Sequence, residues 1–170
     1  YLVPYTAPVI EGPIQTRNDG DPSIKYSGTW TNLSQGGNYN NDATYSSTIG
    51  SSFTFTFTGD GIALYFKTGS TYGAFDVYLD DMTNPVATNV SVKTAATLYQ
   101  QKVFEKAGLT FKSHTLKVVI AAGANTIFDY LVYTVPQDVL PSGNYIFEAK
   151  DTLVLKDRVV SIESFVPVVH

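Results

Sequence analysis

At 170 residues the chain suits one domain, and roughly two-thirds of its unfolded surface can be buried without staples. It is 44% hydrophobic but only 15% charged, so Thr, Ser, Asn, Gln and Gly must build its polar surface, as is common in extracellular β proteins. A net charge of −4 without like-charge runs, the lack of any apolar run of ~18 residues and the absence of cysteine exclude a phosphate-binding basic stripe, a membrane span, thiol catalysis, disulfides and Cys-ligated zinc.

The chain opens at Tyr1, not Met, with no signal peptide, so a processed protein or an excised piece of a larger one is expected. Pro4, Pro8 and Pro13 make residues 1–17 an extended segment or an edge strand. The turn Asn18-Asp19-Gly20-Asp21-Pro22 leads into a first strand over 24–31. A long Gly- and Asn-rich loop then covers 32–51. Residues 52–58 alternate Phe53, Phe55 and Phe57 with Thr54, Thr56 and Thr58, a strand with one buried face. Gly59-Asp60-Gly61 reads as a tight hairpin turn into a strand over 62–67, with Ile62, Leu64 and Phe66 inward. Phe75, Val77 and Leu79 continue the pattern, followed by a weaker strand over 86–92 and a strand over 101–106. Strands over 114–121 and 127–134 close the series, with Leu116, Val118 and Ile120 inward. Past Pro136 and Pro141, residues 145–164 read as an appended β-meander or as extra strands. No stretch carries a capped 3.6-residue period, so short strands separated by turns predict an all-β sandwich or barrel.

Several segments, in order, carry a resemblance: Ile24-Lys25-Tyr26-Ser27-Gly28-Thr29-Trp30, Ser52 to Gly61, Tyr72-Gly73-Ala74-Phe75-Asp76-Val77-Tyr78-Leu79-Asp80, Tyr99 to Glu105, His114-Thr115-Leu116-Lys117 and Phe128-Asp129-Tyr130. Over about 18–134 the chain resembles the galactose-binding-like jelly rolls found as carbohydrate-binding modules. Such modules are appended to glycoside hydrolases and surface proteins, or inserted in distal tail and baseplate proteins of phages of Gram-positive bacteria. The resemblance implies an antiparallel two-sheet jelly roll over 18–135 that binds a cell-surface saccharide, and the sequence, with no metal-ligand spacing, gives no reason to expect a cofactor or metal. It implies a virion tail or extracellular setting within a larger multimeric assembly, while the charge and hydropathy point to no nucleic-acid or membrane partner. The strands after Pro136 lie outside the pattern and favour a phage adhesion device. A purely structural or protein-docking sandwich is the alternative, because a tyrosine-rich surface serves protein partners equally well.

Strand parity locates a candidate site. In an antiparallel sandwich alternate connections share one end, which gathers the loops 32–51, 68–73, 93–99 and 122–126. These carry aromatic rings for the C–H face of a sugar and amides for its hydroxyls. Tyr72 and Tyr39 are the expected ring contacts, with Trp30 a third, although Trp30 shares a face with Ile24 and Tyr26 and also suits the core. Asn38, Asn40, Gln100 and Asn125 are the expected hydrogen-bonding partners. His114 falls at the opposite end, where a hydrogen-bonded structural role is expected. Asp60, Asp80 and Asp81 read as turn residues.

Catalysis is not expected. Glycoside hydrolysis usually needs two carboxyl groups ~5–10 Å apart across one bond, and Glu11, Glu105, Glu148 and Glu163 all fall outside these loops. His114 and His170 have no Gly-x-Ser-x-Gly partner.

Overall fold

The computed structural model describes residues 14–135, and two further strands, Thr152–Leu155 and Arg158–Ser161, by their backbone alone. The rest of the expected meander and the proline-rich start lie outside the described residues. The chain divides into two compact units, one holding the sandwich and the other the Thr152–Leu155/Arg158–Ser161 hairpin.

The first unit is an antiparallel two-sheet jelly roll, as the resemblance implies. One sheet contains β1 (Ile14–Asn18), β3 (Thr31–Ser34), β4 (Asp42–Ser46), β6 (Gly61–Thr68), β9 (Leu98–Lys106) and β11 (Thr126–Thr134). Its order is β3-β4-β11-β6-β9, with β1 also paired to β11. The other contains β2 (Lys25–Ser27), β5 (Ser52–Gly59), β7 (Ala74–Leu79), β8 (Ala87–Ser91) and β10 (Lys112–Ala122), in the order β2-β5-β10-β7-β8. Every residue expected in the core, Phe53, Phe55, Phe57, Ile62, Leu64, Phe66, Val77, Leu79, Leu116, Val118 and Ile120, is buried. Alternation makes this possible: each strand turns its apolar set to the sheet opposite, so one hydrophobic layer forms between the two. Aromatic pairs cross that layer. Phe53 stacks on Phe128 at 4.4 Å between ring centroids, and Phe66 on Phe75 at 4.5 Å.

Three expectations are corrected. The strand over 24–31 is broken, because Gly28 adopts a φ of +87° that an extended ladder does not admit. The chain leaves β2 in one sheet there and enters β3 in the other. The long loop over 32–51 contains β3 and β4, which are short and largely polar and so show no apolar alternation. Gly59-Asp60-Gly61 does not close a hairpin. It carries the chain from β5 to β6 in the opposite sheet, and the Asp60 N–H donates to the Thr134 carbonyl at 3.0 Å. Tight turns of this composition are local, whereas sheet membership is decided by distant partners.

Because β8 is a strand, the loops over 68–73, 93–99 and 122–126 share one end as expected, whereas the 35–41 turn, expected there too, joins the opposite ends of β3 and β4. At the loop end Gly69 bridges Lys93, and the Gly73 N–H donates to the Asn125 carbonyl at 3.2 Å. A Cβ on Gly73 would lie 2.8 Å from both the Ala122 and Ala124 carbonyl oxygens. Gly73→Ala should therefore lower stability by about 1–3 kcal/mol, read as a reduced urea midpoint with an unchanged slope. At the other end His114 is buried, with its ring nitrogens 2.8 Å from Asp80 Oδ2 and 2.9 Å from the Thr110 carbonyl. Asp81 accepts the backbone N–H groups of Thr83 and Asn84, the turn chemistry expected of it.

Candidate functional site

The outer face of the six-stranded sheet carries a groove that is the candidate site. On β6, Ile62, Leu64 and Phe66 point into the core, which turns Ala63 and Tyr65 outward. On β11 the alternation is interrupted between Phe128 and Tyr130, where the register to β6 shifts. This bulge keeps Phe128 and Leu131 in the core, buries Asp129 and sends Tyr130 to the outer face. Tyr130 then stacks on Tyr65, with centroids 4.3 Å apart and planes 8° apart.

A turn folds back over this face. Residues 35–41 leave β3 and return to β4, closed by the Gln35 N–H donating to the Asn41 carbonyl at 2.9 Å. Asn40 and Asn41 adopt φ of +53° and +61°, a conformation asparagine tolerates better than most residues. The turn sets the Tyr39 ring against Tyr130 at 5.0 Å. The Tyr39 N–H donates to Asp129 Oδ1 at 2.8 Å. Gln100 of β9 donates from Nε2 to the Gly37 carbonyl at 2.9 Å, tying the turn to the far edge of the sheet.

Between these elements lies a groove of about 390 Å³. Ala63, Tyr65, Tyr130 and Val132 form its floor, Tyr39 and Gln100 stand at one end, and Ile14, Thr16 and Glu105 line the sides. Glu105 is ion-paired with Lys102 at 2.6 Å. The surface so made combines aromatic rings with hydroxyl, amide and carboxylate groups, suited to a neutral, hydroxyl-rich ligand of one or two rings.

The expected site residues separate. Tyr39 and Gln100 share the groove. Tyr72 is half-buried, packed against the core, and with Tyr99 flanks Lys67, whose Nζ lies 5.9 Å and 4.7 Å from the two ring centroids. Trp30 packs on Tyr26 and Phe53, and its indole N–H donates to the Ser27 and Ser52 carbonyls. Asn38 is buried at 4% exposure, with neither amide atom hydrogen-bonded. Asn40 and Asn125 are exposed, Asn125 at the tip of the 122–126 loop. Sequence reasoning missed Tyr65 and Tyr130. Tyr65 was visible as the outward member of an alternating strand, whereas the position of Tyr130 depends on the bulge.

Burial dominates the electrostatics beneath the turn. Removal from water pushes the Asp129 carboxyl up to about 7, and nearby Asp19 and Asp42 add to the effect. Burial likewise raises Asp19 to about 6, against a hydrogen bond from Thr44. Among the described residues no group of three or more His, Asp or Glu side chains is arranged to hold a metal ion. Nor is any helix among them long and apolar enough to cross a membrane.

No family model matches the chain. It is 35% identical over 116 residues to an A type blood N-acetyl-alpha-D-galactosamine deacetylase of Flavonifractor plautii, covering 68% of this chain and 14% of the enzyme. It is 33% identical over 114 residues to an A type blood alpha-D-galactosamine galactosaminidase of the same organism, covering 67% of this chain and 10% of that enzyme. The matched stretch is thus a small part of each relative. Among solved structures, a two-domain esterase active on acetylated mannans superposes with a TM-score of 0.55 at 11% identity, over 78% of this chain and 40% of that one. CBM35 from Paenibacillus barcinonensis superposes with a TM-score of 0.50 at 12% identity, over 69% of this chain and 95% of that one. At such identities these likenesses establish the jelly-roll fold and nothing further.

Proposed function

We propose that the sandwich is a non-catalytic saccharide-binding module whose site is the groove on the outer face of the six-stranded sheet. The observation that carries this reading is the row Tyr39–Tyr130–Tyr65, three rings from three separate elements gathered at one groove beside Gln100. Nothing in core formation requires three tyrosines on an outer face, and aromatic rings beside amides suit pyranose recognition. Gln100 holds a φ of +53°, uncommon for a residue that is neither glycine nor asparagine. Strain of this kind concentrates at ligand sites, where surrounding structure holds it. It also places Gln100 against the turn that bears Tyr39.

Both relatives from Flavonifractor plautii are named for acting on amino sugars of A-type blood structures, and the stretch they share with this chain is a small fraction of each. This supports a module appended to an extracellular glycan-processing enzyme, with galactose-configured or galactosamine-containing saccharides as the ligand class. The same groove would serve phage adhesion to a bacterial host, the setting the sequence suggested, and the relatives favour the enzyme-appended one.

Titration calorimetry tests the reading. Galactose, N-acetylgalactosamine, galactosamine, an A-type blood saccharide and purified Gram-positive wall polysaccharide would each be titrated into the chain. Binding to a galactose-configured sugar is expected. Tyr130→Ala should weaken it about tenfold to a hundredfold, while Tyr72→Ala leaves it within about twofold. Equal binding by the folded Tyr130→Ala and Tyr65→Ala variants would move the site off this face. Binding to wall polysaccharide alone would favour phage adhesion. A protein partner recovered in place of any glycan would favour the docking module.

A further inference from the structure

The turn that ends the groove rests on a chamber short of hydrogen-bond donors. Asp129 Oδ2, Asp19 Oδ1, Asn38 Oδ1 and Asn18 Oδ1 are all buried acceptors without a partner, and Asn38 Nδ2 is the one buried donor group without a partner beside them. Asp42 is close by, its Oδ1 accepting from Asn18 Nδ2 at 3.0 Å. Among the described residues no lysine, arginine or histidine pairs with any of the three carboxyls. Arg17 is engaged by Asp21 at 3.6 Å, and Lys67 by Gln35. The remaining titratable groups facing the chamber are phenols: Tyr26, whose hydroxyl donates to the Asp19 carbonyl, and Tyr39 and Tyr130 above Asp129. Three carboxylates without a cation repel one another, and acceptors without donors are costly when buried.

We propose that this chamber is a proton-operated support for the groove: a proton taken up between Asp129 and Asp19 supplies the missing donor, locks the 38–41 turn and holds Tyr39 in place. Its consequence for binding rests on the groove being the saccharide site, but the device itself does not. With Asp129 protonated on Oδ2, that O–H donates to an orphaned acceptor while Oδ1 still accepts the Tyr39 N–H. With both carboxyls ionised, the chamber relaxes by admitting water or by lifting the turn. The turn is the part to yield, because it is short, surface-lying and hydrogen-bonded to the chamber through the Tyr39 amide, while the Asn38 side chain buried there has no partner. Proton uptake therefore tightens the groove as pH falls.

The experiment follows the Tyr39 backbone amide and the Asn38 side-chain amide by 1H–15N NMR from pH 8.5 to 5, without ligand. Both signals should titrate together, with a midpoint between about 6 and 7. Asp129→Asn, which carries the donor permanently, should hold them at their low-pH positions at every pH. Asp19→Asn should move the midpoint down, since one negative neighbour is gone. Flat signals in the unsubstituted protein would overturn the proposal whether or not the variants fold, as would an unchanged titration in Asp129→Asn. With an A-type blood saccharide as probe, affinity should rise about tenfold between pH 8 and 5.5, equivalent to one unit of pKa difference between the open and closed turn. Equal affinity at both pH values would overturn the coupling of proton and groove. No binding at either pH, with the Tyr39 signal still titrating, would remove the saccharide reading and leave the proton device standing.

Discussion

Truncating Phe128 to alanine should destabilise the sandwich by about 3–5 kcal/mol, the largest effect expected of any single substitution in the core. Phe128 is fully buried on β11, stacked on Phe53 of the opposite sheet at 4.4 Å and tilted against Phe66 at 5.3 Å. It therefore touches both sheets at once. Removing its ring forfeits the transfer free energy of the side chain and leaves a cavity that stiff neighbours cannot close. Phe53 is itself braced by Tyr26 and Trp30 at 5.8 and 6.0 Å, so it is not free to move in. Urea denaturation monitored by far-ultraviolet circular dichroism should show the midpoint fall with little change in slope, and thermal melting should drop by roughly 10–25 °C. A loss under about 1 kcal/mol would mean that the two sheets do not meet through this ring.

The second large effect is electrostatic and runs opposite to ordinary acid denaturation. Asp19 and Asp129 have folded-state pKa values raised by burial to about 6 and about 7, against an unperturbed 3.8. Between about pH 4 and 7 the native state therefore binds more protons than the unfolded chain, and stability falls as pH rises through that window. The favourable contribution is complete below the unfolded value and is lost above about 7. Asp129→Asn keeps the shape and the acceptor for the Tyr39 N–H while removing the charge. It should stabilise the sandwich by on the order of 2–4 kcal/mol at pH 8 and change it little at pH 4.5. Urea midpoints of both proteins at the two pH values check this. A destabilised Asp129→Asn at pH 8 would show that the ionised carboxylate is held by a partner and is not in deficit.

His114 and Asp80 illustrate how far a sequence reading of ionisable groups can reach. A histidine opening a strand, at the end opposite the aromatic loops, was expected to be structural, and it is buried between Asp80 and the Thr110 carbonyl. Asp80 and Asp81 announced themselves as a turn. Asp129 did not announce itself as anything, because an aspartate between Phe128 and Tyr130 reads as the outward residue of an alternating strand.

That contrast separates what the chain states locally from what its folding adds. Period-two alternation of Phe53, Phe55 and Phe57, of Ile62, Leu64 and Phe66, and of Leu116, Val118 and Ile120 determined these strands, their buried faces and the all-β class. A strand's side chains alternate whatever its partner, so the pattern needs no knowledge of neighbours. Counting those strands was enough to bring the loops at 68–73, 93–99 and 122–126 to one end, but not to place the 35–41 turn, which joins the far ends of β3 and β4. Tertiary structure alone decided that 59–61 crosses between sheets, that β1 and β11 pair Ile14 with Thr134, and that a bulge at Asp129 buries one side chain and exposes the next. It also turned Asn38 inward and Trp30 onto the core, and built the groove from Tyr39, Tyr65, Gln100 and Tyr130 on four separate elements. Register and bulges are set where two strands from distant parts of the chain meet, by the closest packing both can reach. No local pattern carries that information, and the groove consists of little else.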